Sequence, residues 1–175
     1  MDIKVLLAKK KNAIVKQWLD RTLQAYPIQT SRFLMEEKDP FRNPVGQVFQ
    51  DAFPRLFDEL LAGMNTGRVA PILGDVVRIR AVQDVTAGQS IAFIFMLKKI
   101  IRKAVKESGD EQFASEELCA IESQIDDMAL LAFDLFMHSR EKTYEIKLSE
   151  AKRRLYLLER SRETASVGGG EDQDK

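Results

Sequence analysis

The fold of this chain is decided by one stretch that contains neither glycine nor proline, QFASEELCAIESQIDDMALLAFDLFMHSREKTYEIKLSEAKRRLYLLERSR (residues 112–162). In its first half, apolar residues recur at helical spacing and form one face: Leu118, Ile121, Ile125, Met128, Ala132 and Leu135. Because nothing interrupts this period, the stretch predicts a single helix of roughly 50 residues. A chain with such a helix at its end belongs to the all-α class.

The second half of this helix has a different apolar pattern, with spacings that alternate between four and three from Tyr144 to Leu158. This alternation is typical of a coiled coil, in which one apolar seam faces a partner helix. We therefore expect a homodimer whose interface consists of Met137, Tyr144, Leu148, Ala151, Leu155 and Leu158. The alternative left open by the sequence is that this stripe folds back onto its own domain.

The N-terminal part of the chain predicts shorter helices. Residues 2–26 have the pattern of one amphipathic helix, and one helical turn is expected near Ser31–Glu37. Asn43 followed by Pro44 predicts a helix start, with the asparagine as the cap. Pro54 lies inside that helix, where it predicts a kink or a fresh helix start.

Two further helices are expected before the long one. Pro71 is predicted to open the first of them, and Thr86 with Gln89 is a candidate capping box for an apolar helix over Ile91–Val105. The basic residues at the end of this helix precede an acidic segment, and the two would face each other across a turn at Gly109. The basic set is Lys98, Lys99, Arg102, Lys103 and Lys106, and the acidic set is Glu107, Asp110, Glu111, Glu116, Glu117, Glu122, Asp126 and Asp127.

Composition and length limit the possible functions. Lys+Arg and Asp+Glu both number 27 in 175 residues, a balance that excludes a general nucleic-acid binder. The longest uncharged run, residues 85–97, is shorter than the roughly 18 residues of a membrane span, so no membrane insertion is expected. One cysteine and the lack of a signal peptide indicate a cytoplasmic protein. We expect five or six helices, no sheet, and three regions: a helical domain (1–139), a projecting helix (140–163) and a disordered tail (164–175).

No catalytic, cofactor or metal site can be assembled from the sequence, so we expect no enzyme. His138 is the only histidine and is interpreted as a helix residue near the seam, the alternative being a haem or metal ligand. Cys119 lies on the same predicted helix, too far from His138 for a catalytic pair. Seven of the ten phenylalanines are expected to form a core, or alternatively the wall of a ligand pocket: Phe49, Phe53, Phe57, Phe93, Phe95, Phe133 and Phe136.

Three segments resemble a known family: LLAKKKNAIVKQWLDRTLQAYP (6–27), DPFRNPVGQ (39–47) and FDLFMHSREKTYEIKLSEAKRRLYLLE (133–159). Together they are similar to the N-terminal sensor domain of RsbT co-antagonist (RsbRD-type) proteins over roughly residues 5–160. The resemblance implies an all-α, globin-like helical bundle without haem, with a long C-terminal signalling helix and a dimeric state.

The function implied by this resemblance is a non-enzymatic regulatory sensor or protein-interaction domain in bacterial signal transduction. Its partner would be a regulatory protein that the sequence does not identify, and no cofactor is expected. Since no globular segment follows Glu163, we expect a sensor or adaptor without an output module. The alternative function is a haem- or small-ligand-binding sensor.

Overall fold

The structure is a computed structural model that describes residues 2–83, 85–109 and 115–167, with Ser115 and residues 163–167 described by their backbone alone. This described part contains seven helices and no strand, which confirms the all-α class. One more helix is present than the five or six expected. The helices are α1 (Ile3–Lys9), α2 (Lys11–Leu23), α3 (Ile28–Glu36), α4 (Pro44–Leu61), α5 (Thr66–Ala81), α6 (Ala87–Lys106) and α7 (Ser115–Val167).

The expectation of one helix over residues 2–26 is wrong, because the chain turns at Lys10 (φ −93°, ψ 4°) and divides it into α1 and α2. The cause is a change in the phase of the apolar residues. On a straight helix at about 100° per residue, the buried residues of α1 and α2 would face directions roughly a quarter turn apart. The break lets both short helices bury their apolar faces, since α1 packs on α6 while α2 packs on α4 and α6.

Asn43 caps α4 as predicted and also joins it to α3. Its Oδ1 accepts a hydrogen bond from the Gly46 backbone N–H at 2.8 Å. Its Nδ2 donates to the carbonyls of Leu34 at 3.1 Å and Glu37 at 3.0 Å. A Cβ on Gly46 would lie 2.2 Å from that amide nitrogen, so only glycine fits beside the cap. The single helical turn predicted near Ser31–Glu37 is part of a longer helix, α3. Carbonyl groups at the C-terminal end of α3 accept hydrogen bonds from Asn43.

Both internal prolines lie within continuous helices. The helix α4 runs through Pro54 without restarting, and α5 begins at Thr66, with Asn65 as its cap, rather than at Pro71. Each proline removes one backbone hydrogen bond. Buried residues on both sides of each proline, such as Phe53 before Pro54, keep the helices packed despite that loss.

The core of the N-terminal region is built around an aromatic cluster shared by α2, α4 and α6. The Trp18 and Phe53 ring centroids lie 4.3 Å apart, and those of Phe53 and Phe93 lie 5.6 Å apart. The Trp18 indole N–H donates to the Phe93 carbonyl at 2.7 Å, which satisfies a buried donor. The expectation that Phe95 and Phe133 belong to this core is wrong, since they are 43% and 40% exposed.

The predicted pairing of α6 with α7 through opposite charges is confirmed. Lys98 Nζ lies 2.6 Å from an Asp126 carboxylate oxygen. Arg102 forms a bidentate pair with Glu122, in which one Nη donates to Oε2 at 2.7 Å. Gly109 adopts a left-handed φ of +72°, which glycine tolerates without strain. The predicted charges Asp110 and Glu111 lie outside the described residues.

The long C-terminal helix is confirmed, because α7 contains 53 residues and has no break. The chain divides into two units, an N-terminal unit (residues 1–139) and a C-terminal unit (residues 140–175). Helix α7 extends to Val167, four residues into the segment expected to be a disordered tail. Residues 168–175 of that segment lie outside the described residues, as does the predicted helix start at Gln112.

Candidate functional site

The C-terminal unit has an exposed surface along residues 141–162 of its helix. From residue 141 to residue 162 every side chain is exposed except the half-buried Thr143. The large apolar residues of the predicted seam that belong to this unit are more than half exposed: Tyr144, Leu148, Leu155 and Leu158. Ile146 and Leu157 are exposed to a similar extent. By helical spacing these two lie on the opposite side of α7 from the seam.

Tyr144 has a polar partner within its own helix. An Arg140 Nη donates to the Tyr144 hydroxyl at 3.0 Å, and the guanidinium carbon lies 5.3 Å from the centre of the ring. A tyrosine at an apolar interface needs such a partner for its hydroxyl. The phenol oxygen at this point of the seam is therefore already satisfied by an arginine one turn before it.

The N-terminal unit also exposes apolar residues on α7. Leu130 is 66% exposed, Phe133 is 40% exposed and Met137, the first residue of the predicted seam, is 38% exposed. The buried residues of this part of the helix are Ile121, Ile125, Met128, Ala129, Ala132 and Phe136. Within residues 121–137, α7 thus has one apolar face in the core and a second one exposed.

A second candidate site, which the sequence reasoning missed, is the buried side chain of Arg80 on α5. Arg80 is only 5% exposed. One Nη donates to the Gln89 carbonyl at 3.1 Å, and the other lies 3.4 Å from the Tyr26 hydroxyl. The Tyr26 hydroxyl in turn donates to Gln83 Oε1 at 3.0 Å. The Arg80 Nε is buried and has no hydrogen-bond partner among the described residues.

Two aromatic rings flank this guanidinium. Its central carbon lies 5.7 Å from the centre of the Tyr26 ring and 5.8 Å from that of Phe93. Both distances are within the range of cation–π attraction, which partly offsets the loss of hydration. Because Phe93 also contacts Trp18 and Phe53, the arginine is in contact with the aromatic core.

Arg80 lines two adjoining cavities of the N-terminal unit. The first has a volume of about 210 Å³ and is enclosed by α2, α5 and α6, with Thr22, Val85, Ala92, Phe93 and Met96 among its walls. The second measures about 370 Å³ and is lined by Tyr26, Pro27, Thr30 and Gln83. Apart from the guanidinium, most of the first cavity's walls are apolar.

The sequence does contain a signal for Arg80. The residues at Leu73, Val76, Val77 and Ala81 repeat with the spacing of one helix face, and Arg80 falls on that face. The structure buries the whole set. An arginine at a position where the period demands an apolar side chain indicates either a buried polar contact or a ligand.

The remaining candidates do not form a reactive group. His138 is exposed on α7, and Cys119 is an exposed free thiol on the same helix. Within the described ranges, no three histidine, cysteine, aspartate or glutamate side chains converge as metal ligands. The described helices also include none with the length and apolar character needed to cross a bilayer.

Comparison with known proteins gives one finding. The family model for the RsbT co-antagonist protein rsbRD N-terminal domain matches residues 12–150. No curated protein and no solved structure matches the chain significantly.

Proposed function

The chain belongs to the RsbT co-antagonist protein rsbRD N-terminal domain family, a family of regulatory signal-transduction domains, and we propose its function on that basis. In this proposal it is a non-enzymatic sensor that dimerises through one face of α7 and acts on a regulatory protein partner. We place it in the cytoplasm, where a reducing environment preserves its exposed thiol, Cys119.

The observation that supports dimerisation is the exposed seam on α7. An apolar stripe of this length on a helix surface is typical of an interface. Burying one exposed leucine contributes about 1.5–3 kcal/mol, and a symmetric dimer buries each seam residue twice. Leu130 and Met137 precede Tyr144 in steps of seven residues, so the same heptad row continues into the N-terminal unit. The occupant of the seam in this proposal is a second copy of the chain.

The charges beside the seam favour a parallel pair. One flank carries Arg140, Lys147 and Arg154, and the other carries Glu145, Lys152 and Glu159. In a parallel coiled coil each residue of the first flank faces the residue five positions later in the partner. Arg140 then faces Glu145 and Arg154 faces Glu159, and only the middle pair consists of like charges. An antiparallel pair would place the three basic residues of one flank against the same basic flank of the partner.

A paired helix is also a suitable element for signalling. Two helices that meet along a short seam can adopt two packings whose free energies differ by little, and a signal can shift the balance between them. Two heptads alone are marginal, so contacts from Leu130, Phe133 and Met137 would be needed to complete the pair. The regulatory output in this proposal is a change of helix pairing that the partner protein recognises.

The experiment that tests dimerisation compares two double variants by light scattering at micromolar concentration. Leu148→Asp with Leu155→Asp places four carboxylates in the paired seam and should give monomers. Ile146→Asp with Leu157→Asp makes the same chemical change on the opposite side of α7 and should remain dimeric. A monomeric parent protein, or a seam variant that still forms dimers, would show that the proposal is wrong.

Small-ligand sensing is the second candidate function, and the cavities beside Arg80 favour it. A haem sensor that uses His138 would have to bind the iron at an exposed position on α7, away from the residues that line these cavities. The absorption spectrum of the purified protein tests the haem version, since bound haem gives an intense Soret band. We expect no such band.

A further inference from the structure

Arg80 is a buried cation that has no anionic partner among the residues that the structure describes. Among the described residues, no aspartate or glutamate lies within ion-pair distance of its guanidinium. Burying an arginine without a counter-ion costs several kcal/mol in general, so buried arginines are usually paired. Ion pairs of the described part, such as Arg55 with Asp51 and Arg102 with Glu122, involve other residues and lie mostly on the surface. Within the described ranges, the surroundings of the Arg80 guanidinium therefore lack a counter-ion.

The neutral partners of Arg80 use only part of its hydrogen-bonding capacity. A guanidinium has five N–H donors. The Gln89 carbonyl and the Tyr26 hydroxyl each accept from one of them. The Nε–H is buried without a partner, and a buried donor left unpaired costs free energy. Each Nη also has a second N–H, and a planar guanidinium matches a carboxylate, which can accept two N–H bonds at once.

We propose that the cavity of about 210 Å³ beside Arg80 binds a small organic carboxylate with a short apolar chain. The carboxylate accepts from Nη N–H groups of Arg80 that Gln89 and Tyr26 leave unused, and the chain packs against Ala92, Phe93 and Met96. The volume is below the range of about 300–1,000 Å³ typical of drug-sized ligands, so the ligand is small. This inference names a ligand class for the sensor proposed above and rests on that proposal only for its regulatory meaning.

The walls of the cavity discriminate between ligand classes. An amine would be repelled by the guanidinium, and a neutral amide would leave the cation unpaired. Inorganic phosphate would match the guanidinium but would lose its hydration against the apolar walls without compensation. An organic carboxylate satisfies both the cation and the apolar surface.

The test is a titration of the full chain with sodium butyrate, with sodium chloride at equal ionic strength as the reference. The signal is the Met96 methyl resonance of methyl-labelled protein, since Met96 lines the cavity. We expect a saturable shift and a melting temperature that rises with butyrate concentration, because a ligand of the folded state stabilises it. Butyramide, which has the same shape without the charge, should produce at least tenfold weaker binding, as should inorganic phosphate.

Two variants and one control locate the site. Arg80→Met should weaken butyrate binding at least tenfold, whereas Arg78→Met, which removes an exposed arginine two residues away, should leave it unchanged. If Arg80→Met does not fold, Ala92→Leu fills the cavity without altering the arginine and should also prevent binding. Butyrate binding that survives Arg80→Met or Ala92→Leu, or equal binding of butyramide, would overturn the proposal.

A parent protein that does not bind butyrate would also overturn the proposal, and Asp84→Asn identifies one reason. Asp84 lies four residues after Arg80 and outside the described residues. If only Asp84→Asn binds butyrate, the protein's own carboxylate occupies the site. Binding and dimerisation are measured separately, so a monomer that binds butyrate would contradict the dimer and leave this inference intact.

Discussion

The two parts of α7 have the same backbone and opposite surroundings. Between Ile121 and Phe136 the helix buries six apolar residues in the core, and its charges pair with Lys98 and Arg102 of α6. Between residues 144 and 158 it carries a comparable number of large apolar residues, and all of them are exposed. The helix continues through both parts without a break.

Helical periodicity therefore predicts where an apolar face of α7 lies but not which surface covers it. In the first part, α6 supplies both an apolar surface and cations of the right sign. In the second part, no described residue supplies such a cover, and in our proposal a second copy does so. Substitutions in the two parts of α7 test this difference.

Two phenylalanines on α7, three residues apart, should differ most in how much their substitution lowers the free energy of unfolding. Phe136 is 3% exposed and Phe133 is 40% exposed. Phe136→Ala should lower the free energy of unfolding by about 3–5 kcal/mol, because it leaves a cavity in the core. Phe133→Ala should cost less than about 1 kcal/mol at protein concentrations too low for dimers. Urea unfolding measures both, and equal losses would contradict the assignment of the two faces.

A single substitution in the seam should affect association rather than folding. Leu155→Ala should raise the dimer dissociation constant about ten- to hundredfold, which corresponds to about 1.4–2.8 kcal/mol. The melting temperature of the N-terminal unit should not change in conditions where the parent is monomeric. Leu157→Ala, on the opposite side of α7, is the matched control and should leave the dissociation constant unchanged in sedimentation equilibrium.

Charge reversal at the middle flank pair should strengthen the parallel dimer. Lys152→Glu converts the repulsion between Lys147 and Lys152 of the two copies into attraction, at two symmetric places. Exposed pairs contribute about 0.2–1 kcal/mol each, so the two pairs should give roughly two- to thirtyfold tighter association. Glu159→Lys should have the opposite effect, by the loss of its attraction to Arg154. Both changes should fade in about 1 M salt, where the Debye length is only about 3 Å.

The smallest effect concerns the ion pair between α6 and α7. The Arg102 guanidinium, which donates to Glu122, holds the pKa of this carboxyl below its ordinary value. A lowered folded-state pKa gives stability that is present above the ordinary glutamate value of about 4.3 and is lost as the pH falls through the lowered value. Glu122→Gln should cost less than about 1 kcal/mol at pH 7. The difference from the parent should shrink in acid.

A matched variant separates the ion pair from other effects of acid. Arg102→Met should cost about as much as Glu122→Gln at neutral pH and should remove the same pH-dependent part of the stability. Thermal melts between pH 7 and pH 3 measure both. A difference from the parent that stays constant over this range would show that the pairing of Glu122 with Arg102 does not control its ionisation.

Much of the local structure could be predicted because its causes lie within a few residues. The Asn43 cap, the capping box of Thr86 with Gln89 and the unbroken helix α7 each depend on neighbours in sequence. The break at Lys10 could not be predicted in this way, because it reflects where α1 and α2 meet other helices. The continuity of α5 through Pro71 has the same origin, since packing outweighs one missing hydrogen bond.

Of the two candidate sites, one could be predicted from the sequence and the other was recognised only in the structure. The seam from Tyr144 to Leu158 was predicted from its spacing, and the structure places every one of its residues on the surface. Arg80 was missed, although its position on the buried face of α5 was available in the spacing. Its partners Tyr26 and Gln89 lie on other segments of the chain, so the incomplete surroundings of the cation could be recognised only in the folded structure.

Local sequence patterns are sufficient to predict that this protein is helical, that its last helix is long, and that α6 and α7 attract each other through opposite charges. These properties follow from backbone preferences and charges, which act between residues near in sequence or on consecutive helices. The packing of helices that are distant in sequence buries Phe93 and leaves Phe95 exposed. It also places Arg80 between Tyr26 and Phe93 beside a cavity. Burial depends on which distant surfaces pack against a residue. The free energy of removing apolar area from water is gained only when two surfaces meet, so the residue alone does not determine it.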